Sequence, residues 1–81
     1  MRPRLTPVGD KNIVGTNIRK LRRLNRMTQK ELAGNMQNFG VNINLTSLSK
    51  LEWQTRAATD KEIYAISRIF HVKADELFKE I

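Results

Sequence analysis

Apolar side chains recur along this chain at helical intervals. Val14, Ile18 and Leu21 fall three to four residues apart, Asn25 continues the row and Leu24 stands beside it, while arginine and lysine fill the other faces. That spacing predicts an amphipathic helix over residues 14–26 with a basic outer surface. Thr28 and Glu31 then stand as a capping box: the threonine hydroxyl accepts from the backbone N–H three residues on, and the glutamate accepts from the Thr28 N–H. Met27 outside the helix and Leu32 inside it complete a hydrophobic staple. This second helix is predicted to run to Asn38, turning Leu32, Met36 and Phe39 inward. Gly34 weakens it by up to about 1 kcal/mol, and Gly40 stops it.

Val41, Asn42 and Ile43 alternate in polarity and read as an extended link. Asn44 is a good N-cap for a third helix over residues 45–53. At about 100° per residue, Leu48, Leu51 and Glu52 gather on one side of it. Thr46, Lys50 and Trp53 point the opposite way, with Ser47, Ser49 and Gln54 on the flanks. Thr59 and Glu62 form a second capping box, opening a helix whose inner stripe is Ile63, Ile66, Ile69 and Phe70. After His71 and Val72 a last short helix is predicted over residues 74–80, with Asp75 and Glu76 in the first turn, where the helix dipole favours acids. The predicted fold is all-α, a compact five-helix bundle over residues 13–81. Residues 1–12, with two prolines, a glycine and no periodicity, read as a flexible basic arm.

A chain of 81 residues buries only about 60% of the surface its unfolded form exposes. That suffices for a helical core but not for a deep substrate pocket with a lid. No cysteine is present, which excludes disulfides, a thiolate nucleophile and a cysteine zinc site. No apolar run approaches the roughly 18 residues of a membrane helix, and Met1-Arg2-Pro3-Arg4 lacks the apolar segment of a secretory signal. These features predict a cytoplasmic protein without membrane partners.

Charge changes the picture more. The net charge is +7. Through Lys30 the basic residues are Arg2, Arg4, Lys11, Arg19, Lys20, Arg22, Arg23, Arg26 and Lys30, opposed only by Asp10. Such asymmetry suits a polyanion, and nucleic acid is the commonest one for a small basic domain. A solubilising surface and a patch for anionic lipid are the alternatives at this point. His71 is the only histidine and has no companions with metal-ligand spacing. The pairs Asp60–Glu62 and Asp75–Glu76 lie at helix starts, where capping explains them. The four glycines are isolated, so there is no phosphate-cradling loop, and no base–nucleophile pair stands out. Neither an enzyme nor a metal or other cofactor is expected.

Four segments carry a resemblance: Ile18-x-x-Leu21-Arg22; Thr28-Gln29-x-Glu31-Leu32-Ala33; Leu48-Ser49-Lys50-Leu51-Glu52; and His71-Val72 leading to Asp75-Glu76-Leu77. In this order and spacing the chain resembles the phage repressor and Cro-type helix-turn-helix family over about residues 13–78. The resemblance implies a lambda-repressor-like fold and a repressor-like transcriptional regulator that binds double-stranded DNA as a homodimer. It implies that Glu52 pairs with Arg22, that Thr28 and Gln29 meet the DNA backbone with Gln29 reaching a base edge, and that Arg56 contacts phosphate. Leu45, Thr46, Ser47 and Lys50 would face the groove floor. Lysine donates to guanine O6 and N7, and hydroxyls donate or accept, so the chemistry of the polar three agrees. Leu45 would either touch a thymine methyl or fold back against Ile43.

Two departures from the family stand out. The link between helices two and three is longer than the minimal turn of roughly 3–4 residues, and Gln54 stands where glycine often follows helix three. Several roles stay open at this stage. Trp53 would bond a phosphate or line a dimer contact; Tyr64 and Phe78 belong to the core or to that contact. The arm bearing Arg2 and Arg4 would enter a minor groove or stay idle. The alternative function is a helix-turn-helix module that binds a protein, such as an antitoxin with its toxin, or a polymerase. RNA binding is the poorer reading, because Trp53 is nearly the only aromatic available to stack bases.

Overall fold

The computed structural model describes residues 9–79, which form four α-helices and a terminal 3-10 turn. They are α1 (Gly15–Leu24), α2 (Gln29–Gln37), α3 (Leu45–Glu52), α4 (Asp60–Ile69) and the turn Ala74–Phe78. No strand occurs among the described residues. Both capping boxes form: Thr28 and Glu31 bond reciprocally at the start of α2, and Thr59 and Glu62 do so at α4. Asn44 caps α3 by accepting the Ser47 N–H at 2.7 Å.

The fifth α-helix expected over residues 74–80 is a 3-10 turn instead. Its segment carries one buried residue, Leu77, too little apolar surface to hold a longer helix against the bundle. Asn17 of α1 also donates to the Leu77 and Lys79 carbonyls at 2.8 and 2.7 Å.

α3 packs against both α1 and α2, α4 packs on α2, and the terminal turn bridges α4 and α1. Val14, Ile18, Leu32, Met36, Val41, Leu48, Leu51, Ala65, Ile66 and Leu77 form the core between them. The expected α4 stripe is only partly central. Ile66 is fully buried, whereas Ile63, Ile69 and Phe70 lie at the core's edge. Tyr64 and Phe78 are exposed and so are not core. Leu24, beside the α1 stripe, is 70% exposed.

Phe39, expected inward, is 40% exposed. α2 ends at Gln37, and Gly40 turns the chain with φ +82. Val41 enters the core in place of Phe39, its N–H returning to the Met36 carbonyl at 3.1 Å.

The other three helices also end on left-handed residues, and none of these is glycine: Arg26 (φ 52), Gln54 (φ 62) and His71 (φ 56). Each is followed by an N–H reaching back five residues: Met27 to Arg22, Thr55 to Lys50, and Val72 to Ser67. This is the Schellman arrangement that satisfies terminal carbonyls.

The basic arm expected through Asn12 is fastened from Gly9 onward. The Gly9 and Lys11 N–H groups donate to the Trp53 and Gln54 carbonyls at 2.8 and 2.9 Å. Asn12 donates to the Leu51 and Arg56 carbonyls and accepts from the Gly15 N–H. α1 enters so close to the end of α3 that a Cβ on Gly15 would lie 2.2 Å from the Leu51 carbonyl oxygen. Arg2 and Arg4 lie outside the described residues. Among the described residues no helix is long and apolar enough to cross a membrane.

Candidate nucleic-acid interface

α3 has two chemically distinct sides. Leu48, Leu51 and Glu52 have no solvent exposure. Thr46 and Lys50 are exposed, and Ser47 and Ser49 are half-buried on the flanks. Among the described residues, the side chains of Thr46, Ser47 and Lys50 make no hydrogen bond within the protein. Their donors and acceptors are therefore available to an external surface. Leu45 is 48% exposed and is not among the apolar residues packed on the core, whereas Ile43 is. About half of the Leu45 side chain is therefore open to solvent.

A shallow hollow of about 430 Å³ opens beside this face, lined by Asn44, Thr46, Ser47, Lys50, Thr55 and Arg56. No carboxylate lines it. A second hollow of about 300 Å³, lined by Thr16, Arg19, Lys20, Arg23 and Leu24, lies on the basic side of α1.

The buried side of α3 is held by charge. Glu52 accepts from Arg22 Nε at 2.7 Å and from a terminal Arg22 nitrogen at 3.0 Å, a bidentate pair. Arg22 also donates to the Met27 carbonyl at 3.0 Å, which ties the α1–α2 turn into the same group. Gln29 Nε2 adds a third donor to the Glu52 carboxylate at 3.1 Å. The amide that the resemblance assigns to a base edge is thus directed to the interior of the α2–α3 pair.

Arg56 is likewise engaged. Its Nε donates to the Ser47 carbonyl at 3.0 Å, and its terminal nitrogens donate to the Ala57 carbonyl and to both Glu62 oxygens at 2.7–2.9 Å. Four of about five guanidinium N–H groups are used within the protein, and the side chain is half-buried. Arg56 fixes the first turn of α3 against the start of α4. Burial pushes the Glu62 carboxyl up. The hydrogen bonds and charge of Arg56, with those from Thr59, outweigh burial and hold it below its ordinary value. Thr28 is exposed at the start of α2. Its hydroxyl accepts the Glu31 N–H at 3.0 Å and keeps its own proton to donate. Bonds from the Thr28 backbone and hydroxyl lower the Glu31 pKa.

Two contacts at the far end of α3 had only faint signals in the sequence. Arg19 stacks over the Trp53 ring at 4.0 Å and donates to the Glu52 carbonyl at 2.7 Å. Gln54, in its left-handed conformation, donates to the Asn12 carbonyl at 2.9 Å and accepts from the Thr16 hydroxyl at 3.1 Å. An asparagine three residues ahead of the Gly15 N–H has capping spacing, and that was the legible trace of Asn12.

The sequence-derived residues therefore divide. Thr46 and Lys50 share the outer side of α3 with Ser47 on its flank, Leu45 is half-exposed at its first residue, and Thr28 lies at the exposed start of α2. Gln29, Arg56, Arg22 and Glu52 hold α3 in its pose. Among the described residues no cluster of histidine, cysteine or carboxylate groups could hold a metal ion. No protein-family model, curated protein or solved structure matches the chain.

Proposed function

We propose that this chain is a sequence-specific double-stranded DNA-binding regulator of the helix-turn-helix class, with α2 and α3 as the two helices of the motif and a repressor-like action. The observation that carries the reading is the division of α3: an entirely dry back and, on the opposite side, hydroxyls and an ammonium with no internal partner. An eight-residue helix is about 12 Å long, comparable to the width of the major groove, about 12 Å. Its outer side chains would meet base edges, Lys50 donating to guanine and Leu45 touching a thymine methyl. Thr28 at the start of α2 would donate to a phosphate. Arg56 and Gln29 act as positioning residues, since their donors are committed to carbonyls and carboxylates that hold α3. The regulator would work by occupying its site. A two-fold dimer would set half-sites about 34 Å apart.

Binding to a duplex selected from a random pool, measured against an unselected duplex at the same ionic strength, tests the reading. A specific reader binds its selected site at least about 10³-fold more tightly; equal affinities would refute it. Lys50→Ala is expected to cost about 1–3 kcal/mol at the selected site and to relax preference at one base position. Competition with single-base variants of the site would measure this. A uniform loss over all duplexes would mean that Lys50 contacts only the backbone.

A further inference from the structure

A third hollow, about 410 Å³, lies at the C-terminal ends of α2 and α4, lined by Phe39, Ser67, Arg68, His71, Val72 and Lys73. It is separate from the α3 face. Arg56 and Glu62 join α3 to the first turn of α4, and the hollow opens beyond its last, about 15 Å along the helix. Its lining is unlike a solvated helix end. Phe39 is turned out of the core and forms part of the wall, while Arg68, His71 and Lys73 are exposed around it. No carboxylate is among the lining residues; Asp75 and Glu76 are exposed a little further on, outside the hollow.

We propose that this hollow docks an acidic peptide segment of a partner protein, with an apolar side chain laid against Phe39 and carboxylates facing Arg68, Lys73 and His71. Cations near a helix C-terminus are commonly explained by the helix dipole alone, which amounts to roughly −0.5 of a charge there. Arg68 and Lys73 together exceed it about fourfold, so the mouth of the hollow is net positive and attracts an anion. The last carbonyls of α4 are already partly satisfied, because the Val72 N–H donates to the Ser67 carbonyl at 3.0 Å. A single exposed aromatic is ordinary. An aromatic sharing one concavity with two cations supplies both parts of a small interface, an apolar anchor and a charged rim. A nucleic-acid strand is a poorer fit. It needs cations spaced along a track, whereas Arg68 and Lys73 line a single hollow.

The test uses the full chain and a capped peptide of glutamates around one central phenylalanine, followed by amide chemical shifts in a titration. The shifts should concentrate at Phe39, Ser67, Arg68, His71 and Val72 and leave Thr46 and Lys50 unmoved. Serine in place of the peptide phenylalanine, or Phe39→Ser in the protein, should weaken binding several-fold. The double variant Arg68→Glu with Lys73→Glu should weaken it by about tenfold. All three side chains are exposed, and retained shift dispersion would verify that each variant folds. Binding to a selected DNA duplex should change much less. Three outcomes would overturn the proposal: shifts spread equally over the basic face of α1, no dependence on either phenylalanine, or the same hollow binding a single-stranded oligonucleotide more tightly than the peptide.

Discussion

Substituting Arg22 by methionine would leave Glu52, which has no solvent exposure, with one side-chain donor, Gln29. Removing one partner of a buried ion pair costs about 3–5 kcal/mol, because the other charge stays behind. Arg22→Met should therefore lower the denaturant midpoint strongly; a loss below about 0.5 kcal/mol would mean that water reaches Glu52. The pair was readable only through the resemblance, since Arg22 and Glu52 are thirty residues apart and share no local pattern. The resemblance assigned Gln29 and Arg56 to DNA contacts, but the direction of their donors depends on Glu52 and Glu62 in three dimensions. Glu62 also sets an acid limit. Its folded pKa is below the ordinary value of about 4.5, so between the two the unfolded chain holds more protons. The stabilisation is complete above about pH 4.5 and is lost as pH falls through the folded pKa. Thermal unfolding followed from neutral pH downward should show a shallower acid decline for Glu62→Gln than for the unaltered chain. Glu31 shifts in the same direction, but at an exposed cap, where solvent screens the effect.

At the scale of elements, local chemistry carried well where it involved only a few neighbouring residues. Both capping boxes and the Asn44 cap lie where a three-residue pattern puts them. The helix exits were harder to read, because left-handed residues other than glycine leave no compositional mark. Phe39 shows the consequence: extending the α2 period past Gln37 turns it inward, whereas α2 has already ended there and the chain turns at Gly40. The terminal turn departs for a related reason: acids at its start look helical, but Leu77 is its one buried side chain, and Asn17 holds its last carbonyls. Two of the exits should respond oppositely to glycine. Arg26 is exposed at φ 52, so Arg26→Gly relieves about 1 kcal/mol of backbone strain and should raise the melting temperature by roughly 4–8 °C. Gln54→Gly relieves similar strain but loses the bonds to Asn12 and Thr16, worth about 1 kcal/mol each. It should lower the melting temperature. Calorimetry of both variants checks the contrast.

For the whole molecule, the basic surface of α1 was legible from the order of residues, and the cluster around Phe39 was not. Among the described residues, positive charge gathers on α1, beside the α3 hollow and in the cluster around Phe39. Binding to a selected duplex should weaken steeply with salt, with a logarithmic slope of about −0.9 per phosphate neutralised. If the α1 hollow tracks the backbone, Lys20→Ala with Arg23→Ala should reduce that slope by about 2 while leaving base preference intact. An unchanged slope would confine phosphate contacts to α2 and α3. The chain's one tryptophan, Trp53, stands at the exit of α3 beneath the Arg19 guanidinium. Its ultraviolet emission is therefore a built-in optical gauge of that helix: any ligand that lifts the arginine or wets the indole changes the signal without an attached dye.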